Sequence, residues 1–211
     1  FILAGLNNWC RLSPDVAGSL VNMRNYAAEG MACGVSGAWI SGWGDSGYEN
    51  LRDACWSQIA CFAEATWRGS LGDGTDALER FDEAFYGERL PELAALSLEM
   101  SSIKLGAWEA WGLWHASPFA LERLSAKSPE ICAGASKLLA DAARWRRVVE
   151  SAKRKASEEA SHLDVALSAI DKSANLAERV LAAVRTRTLR GDPRLSDPLG
   201  ATGYRSEEHT S

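Results

Sequence analysis

Apolar and polar positions change their period twice along the chain. Phe1 to Leu6 is a short apolar run with the character of a buried parallel strand. Ser13-Pro14-Asp15 then reads as N-cap, first helical residue and acidic first turn. Val16, Leu20, Met23, Ala27 and Met31 follow at helical spacing, and Gly34 supplies a left-handed stop. Val35 to Gly42 is a second apolar run, too short and too broken by glycine for a helix, so it predicts a strand. Asn50 is placed to cap the next helix, with Leu51, Cys55, Ile59, Phe62 and Thr66 on its buried face. Strand, helix, strand, helix with tight connections is the signature of parallel βα units. Two such units leave strand edges and one sheet face uncovered, so the pattern predicts partner strands before Phe1.

From Gly69 to Gly74 the period becomes helical throughout. Thr75 is placed to cap a helix carrying Leu78, Phe81 and Phe85 on one face. Leu90-Pro91 restarts another, with Leu93, Leu96, Met100 and Ile103 as its stripe. Trp108, Trp111 and Trp114 gather in a connection containing Gly106 and Gly112, and their amphipathic setting predicts core packing over sugar stacking. Ser117-Pro118 and Ser128-Pro129 are two more helix starts of the N-cap–proline type. Leu163, Leu167, Ile170, Ala174, Ala177, Leu181 and Val184 repeat at spacings of four and three, as in a bundle helix packed against antiparallel neighbours. Ser128 to Arg187 is open to two readings, one bent helix or a hairpin broken near Ser161, since no Gly or Pro marks the break. The fold class is therefore α/β followed by mainly α. Residues 1–70 form the βα part, 75–190 a helical bundle-like domain, and 191–211 a disordered tail without periodicity.

Composition narrows the partners. The 211 residues are 46% hydrophobic and 24% charged, ordinary for a globular protein. The formal charge of −5 leaves no unbalanced basic stripe for nucleic acid, because Lys153 to Lys155 is followed by Glu158 and Glu159. No apolar run reaches the roughly 18 residues that span a bilayer. Cys10, Cys33, Cys55, Cys61 and Cys132 form no Cys-x-x-Cys pair, and His115 and His162 stand apart from other ligand types. A metal site, a disulfide framework and a cofactor are thus not expected, and Cys55 and Cys61 read as small buried apolar residues. Free thiols fit a reducing, cytoplasmic compartment, while a first residue in mid-strand leaves localisation unread. Arg205 to Ser211 resembles a translated sequencing adapter and is set aside, His209 with it.

The residues that bear on chemistry stand at the end of the second strand, in Trp43-Gly44-Asp45-Ser46-Gly47-Tyr48. At the carboxyl end of a barrel strand, an indole and a carboxylate face the active site. Gly5 and Trp9, then Asn22, Arg24, Asn25 and Ala27, then Gly30 and Gly37, then Trp43-Gly44-Asp45 and Gly47 form an ordered series. Over the first third of the chain this series resembles the closing strands of glycoside hydrolase family 20, the β-N-acetylhexosaminidase-like barrels. The resemblance implies that residues 1–70 are the last two βα units of a truncated TIM (β/α)8 barrel. It implies that Trp43 walls the terminal-sugar subsite, that Asp45 accepts hydrogen bonds from outer sugar hydroxyls, and that Trp9 is a further pocket aromatic. An indole buries the C–H face of a pyranose, and an ionised carboxylate is an acceptor able to hold two hydroxyls. Tyr48 departs from the His common at its place in that branch.

In the same family, an adjacent Asp-Glu pair on an earlier strand serves a substrate-assisted retaining hydrolysis. No match to that strand-end pair is present here, so no catalytic residue is assigned and the fragment alone is expected to be inactive. The implied partner is a glycan or other N-acetylhexosaminide, and the oligomeric state is unread. Alternatives are a helical protein-interaction module using the Leu163–Val184 stripe, or a non-catalytic sugar-binding barrel relative. Structural roles for the same residues also stand: Trp43 as a barrel-capping core residue, Asp45 as a turn cap with Gly47, Trp9 as packing.

Overall fold

Strands β1 (Ile2–Gly5) and β2 (Ala38–Ser41) run parallel, with Leu3 opposite Trp39 and Ala4 opposite Ile40, in a computed structural model that describes residues 1–43, 50–127 and 130–190. Helix α1 (Val16–Ala32) connects them, which confirms the strand–helix–strand order. Its cap is Asp15 and not Ser13: Asp15 Oδ1 accepts from the Gly18 N–H at 2.8 Å. A side chain on Gly18 would begin 2.6 Å from Asp15 Oδ2, so the glycine admits the capping carboxylate. The helix ends as its sequence implies. Gly34 has φ +63°, its N–H reaches Met31 O at 3.1 Å, and the Val35 N–H reaches Gly30 O at 3.0 Å, which is a Schellman stop. Val16, Leu20, Met23 and Ala27 are buried as predicted, whereas Met31, at the last turn, is exposed and lies beside Gly69.

The next helix departs from the predicted one. A 3₁₀ turn over Arg52–Cys55 leads into α2 (Trp56–Arg68), and Asn50 caps neither. The buried face is Cys55, Gln58, Cys61, Phe62 and Ala65, while Leu51 is exposed. Gln58 accounts for the rotation. Its Nε2 donates to Leu6 O at 2.7 Å and Ser19 Oγ at 2.6 Å, so a polar residue occupies a core position. Cys55 and Cys61 are buried, as expected of small apolar residues.

Helix α3 (Gly74–Tyr86) is capped by Asp73, whose Oδ1 accepts from the Thr75 N–H at 2.9 Å; the cap lies two residues before the one predicted. Helix α4 (Pro91–Glu99) starts at Pro91, and Leu93, Leu96, Met100 and Ile103 are buried as their spacing requires. A short antiparallel pair, β3 (Lys104–Leu105) with β4 (Trp108–Glu109), leads into α5 (Ala110–Trp114). Of the three tryptophans assigned to core packing, Trp114 packs against the core but Trp108 is exposed at the hairpin. Ser117 caps α6 (Pro118–Lys127), its Oγ accepting from the Ala120 N–H at 3.2 Å. Ser128-Pro129 lies outside the described residues.

The open question over residues 128–187 resolves as a hairpin. α7 (Glu130–Lys155) and α8 (Asp164–Arg190) are joined through Glu159 at φ +41° and a 3₁₀ turn at Ala160–Leu163. Two apolar cores result. One holds Ala4, Leu6, Leu20, Met23, Cys61 and Phe62 under the sheet. The other holds Leu90, Leu105, Leu138, Trp145, Ile170 and Leu176 between the helices. Helix α3 feeds both, through Leu78 and Tyr86 respectively. The chain is mainly helical, and among the described residues its larger sheet has two strands. The proposed tail at 191–211 lies outside the described residues.

Candidate functional site at the strand ends

Both parallel strands deliver an indole at their carboxyl ends. Trp9 follows β1 by four residues, and its ring lies across Gly5, where a Cβ would sit 3.1 Å from the indole edge. Trp43 follows β2 by two residues and is 60% exposed. Its backbone N–H donates to Asn8 Oδ1 at 3.0 Å. Asn8 is itself buried, and Asn50 Nδ2 donates to Asn8 O and, at 3.0 Å, to Arg11 O. Two asparagines thus tie the loop after β1 to the segments on either side of residues 44–49. Asp45, the third residue predicted for the site, lies outside the described residues, as do Gly44, Gly47 and Tyr48.

The turn after β1 is built by its sequence. Asn7 adopts φ +47°, a conformation asparagine tolerates better than most residues, and its carbonyl accepts from the Asp15 N–H at 3.1 Å. The sequence does not single out Asn8 and marks Asn50 only as a helix cap, although two consecutive asparagines just past a strand are a turn signal. On the sheet itself the two faces differ. Ala4 is buried against α1, while Leu3 and Trp39, paired across the strands, are 58% and 65% exposed.

A second cluster lies where the βα part meets the helices. A cavity of about 90 Å³ is lined by Asp82 and Tyr86 of α3, His162 beside α8, and apolar residues of α4 and α8. Asp82 is 4% exposed and its Oδ2 has no hydrogen-bond partner. Burial, with a smaller contribution from Glu79, pushes its carboxyl up to about 8. Burial also raises the Tyr86 hydroxyl, with the Asp82 charge adding to it. His162 Nε2 lies 3.0 Å from Asp53 O, and its Nδ1 lies 3.0 Å from the Tyr86 hydroxyl. A carbonyl only accepts, so Nε2 carries the proton, and in the neutral ring Tyr86 donates to Nδ1. This histidine, isolated in the sequence, is a tie between α3, α8 and the 3₁₀ turn before α2.

The thiols offer no nucleophile at neutral pH in the core. Burial pushes Cys55 and Cys61 up to about 12, so both stay protonated. Among the described residues no three His, Cys, Asp or Glu side chains gather as a metal site, and no helix is long and apolar enough to cross a membrane. The stripe from Leu163 to Val184 is largely taken up in the helical core, with Leu163, Ile170 and Ala177 almost fully buried. The chain matches no protein-family model, no curated protein and no solved structure.

Proposed function

We propose that this chain contributes the terminal-sugar wall of a glycoside hydrolase of the β-N-acetylhexosaminidase-like kind, with the β1–β2 pair as the closing strands of a (β/α)8 barrel. The observation that carries this reading is the pair of exposed indoles, Trp9 and Trp43, at the carboxyl ends of two adjacent parallel strands. Strand carboxyl ends are where such barrels bind substrate. The exposed Leu3 and Trp39 fit the same reading, because the inward face of a barrel strand is apolar and covered by the opposite strands. Trp43 takes the sugar's C–H face, Asn8 holds the Trp43 backbone in place, and Asp45 accepts from the sugar hydroxyls. The acid that protonates the leaving group and the carboxylate that orients the acetamido group come from outside this chain. The reaction class is substrate-assisted retaining hydrolysis of a terminal N-acetylhexosamine.

In a protein that carries this chain on a complete barrel, Trp43→Ala lowers kcat/KM for an aryl N-acetylglucosaminide about ten-fold or more, roughly 1.4 kcal/mol of transition-state binding. Unchanged kinetics removes Trp43 from the pocket and this reading with it. The interaction-module alternative draws no support from the helical stripe, which is spent on intramolecular packing.

A further inference from the structure

We infer that the cavity between α3, α4 and α8 is a binding site for a small primary ammonium bearing a short alkyl chain, with Asp82 as its anion. Three observations converge on this. Asp82 lines the cavity, is almost fully buried, and has a carboxylate oxygen without a partner. No Lys or Arg lines the cavity among the described residues, and His162 is committed to Tyr86 and Asp53. Phe81, Tyr86, Leu93, Met100 and Leu163 offer apolar wall to an alkyl chain and aromatic rings to a cation, and Ser13, Ser57 and Ser97 add hydroxyls to the lining.

A buried carboxylate is costly unless paired, and among the described residues no cation lines this cavity, so the empty group stays protonated until a guest cation enters. A guest ammonium provides the missing charge and three N–H donors. The cavity, about 90 Å³, has room for several waters, so ethylammonium is of suitable size. The other titratable groups facing the site are Asp53, Tyr86 and His162, with Glu79 on the same helix as Asp82. Asp53, Tyr86 and Glu79 carry no positive charge, and both ring nitrogens of His162 are engaged by Tyr86 and the Asp53 carbonyl, so none competes for Asp82. The proton balance is explicit. The amine enters as its ammonium, the Asp82 O–H proton leaves to solvent, and a carboxylate–ammonium pair remains. Because burial holds the empty carboxyl protonated at neutral pH, binding near pH 7 releases close to one proton, and less as pH rises past about 8.

The test uses the chain as it is, titrated with ethylammonium chloride near pH 7. The thermal midpoint rises with concentration, as for any ligand that binds only the folded state. Calorimetry in buffers of different ionisation heat reads close to one proton released per ligand. Ethanol at equal concentration and sodium chloride at equal ionic strength produce neither effect. Asp82→Asn weakens ethylammonium binding about ten-fold or more. The site is overturned if ethylammonium, ethanol and sodium chloride act alike, if no proton is released, or if the cavity proves to hold only water. Should Asp82→Asn fail to fold, the ethylammonium–ethanol contrast and the proton count on the unaltered chain decide the matter.

Discussion

The sheet and the helical hairpin of this molecule bury their apolar residues to very different degrees. In the hairpin, Ile131, Leu138, Trp145, Val149, Ile170 and Leu176 are all 3% exposed or less, so each helix finds its cover within the chain. In the β1–β2 pair, one face meets α1 while the other displays Phe1, Leu3 and Trp39. The contrast separates two kinds of hydrophobic pattern. Helical periodicity was matched by helical neighbours in the same chain, and strand hydrophobicity was matched on one side only. A large apolar patch on a sheet face marks a surface made to be covered.

That contrast can be broken at its strong end first. Leu176→Ala removes a fully buried side chain from the helical core and costs about 2–5 kcal/mol, read by urea unfolding. A loss well below this range means that the hairpin repacks and is less self-sufficient than its burial implies. The junction between the regions is probed by pH. Asp82 titrates near 8 in the fold against an ordinary carboxyl value of 3.8, so the folded chain holds a proton that the unfolded chain gives up. Its contribution is fully present below about pH 4 and is lost as pH rises through about 8, with a slope of at most about 1.4 kcal/mol per pH unit. Asp82→Asn flattens that slope in pH-dependent denaturation, and an unaltered slope assigns it to another group. The weakest expected effect is on the bare face. Trp39→Ser changes the stability of this chain by no more than about 0.5 kcal/mol, because the indole is largely in solvent already. A larger loss in urea unfolding would show the face covered in solution.

Elements with strong periodicity were legible from residue types alone. The order of β1, α1 and β2, the Gly34 stop, the proline-led α4 and the Ser117 cap all follow from local chemistry. What the sequence hid are polar residues that serve the interior. Gln58 is polar by composition and buried by geometry, because the Leu6 carbonyl and Ser19 hydroxyl await it from another element. Asn50 looked like a helix cap and instead spans the loop after β1. Asp15 and Asp73 took the caps assigned to Ser13 and Thr75, because each helix starts at a different residue from the predicted one and these carboxylates reach its first N–H groups, those of Gly18 and Thr75. At the candidate site, Trp9 and Trp43 were legible as aromatics past strand ends, whereas Asn8, which holds Trp43, was not. Its partner lies 35 residues away, and no short-range pattern reports a bond of that span. The Asp82 cavity was invisible for the same reason, as its walls come from distant stretches of chain.

The elbow between α7 and α8 is clasped to the end of α3, where the Tyr86 carbonyl receives the N–H groups of both Ser157 and Glu158 at 3.0 and 3.1 Å. Next to it Gly87, at φ +71°, leaves the space that the Ser157 hydroxyl occupies. A bend pinned this way tolerates no inserted residue without surrendering both bonds. Any lengthening of the hairpin is therefore accommodated at its open end, where α7 starts at Glu130 and α8 ends at Arg190, leaving the bend itself fixed in size.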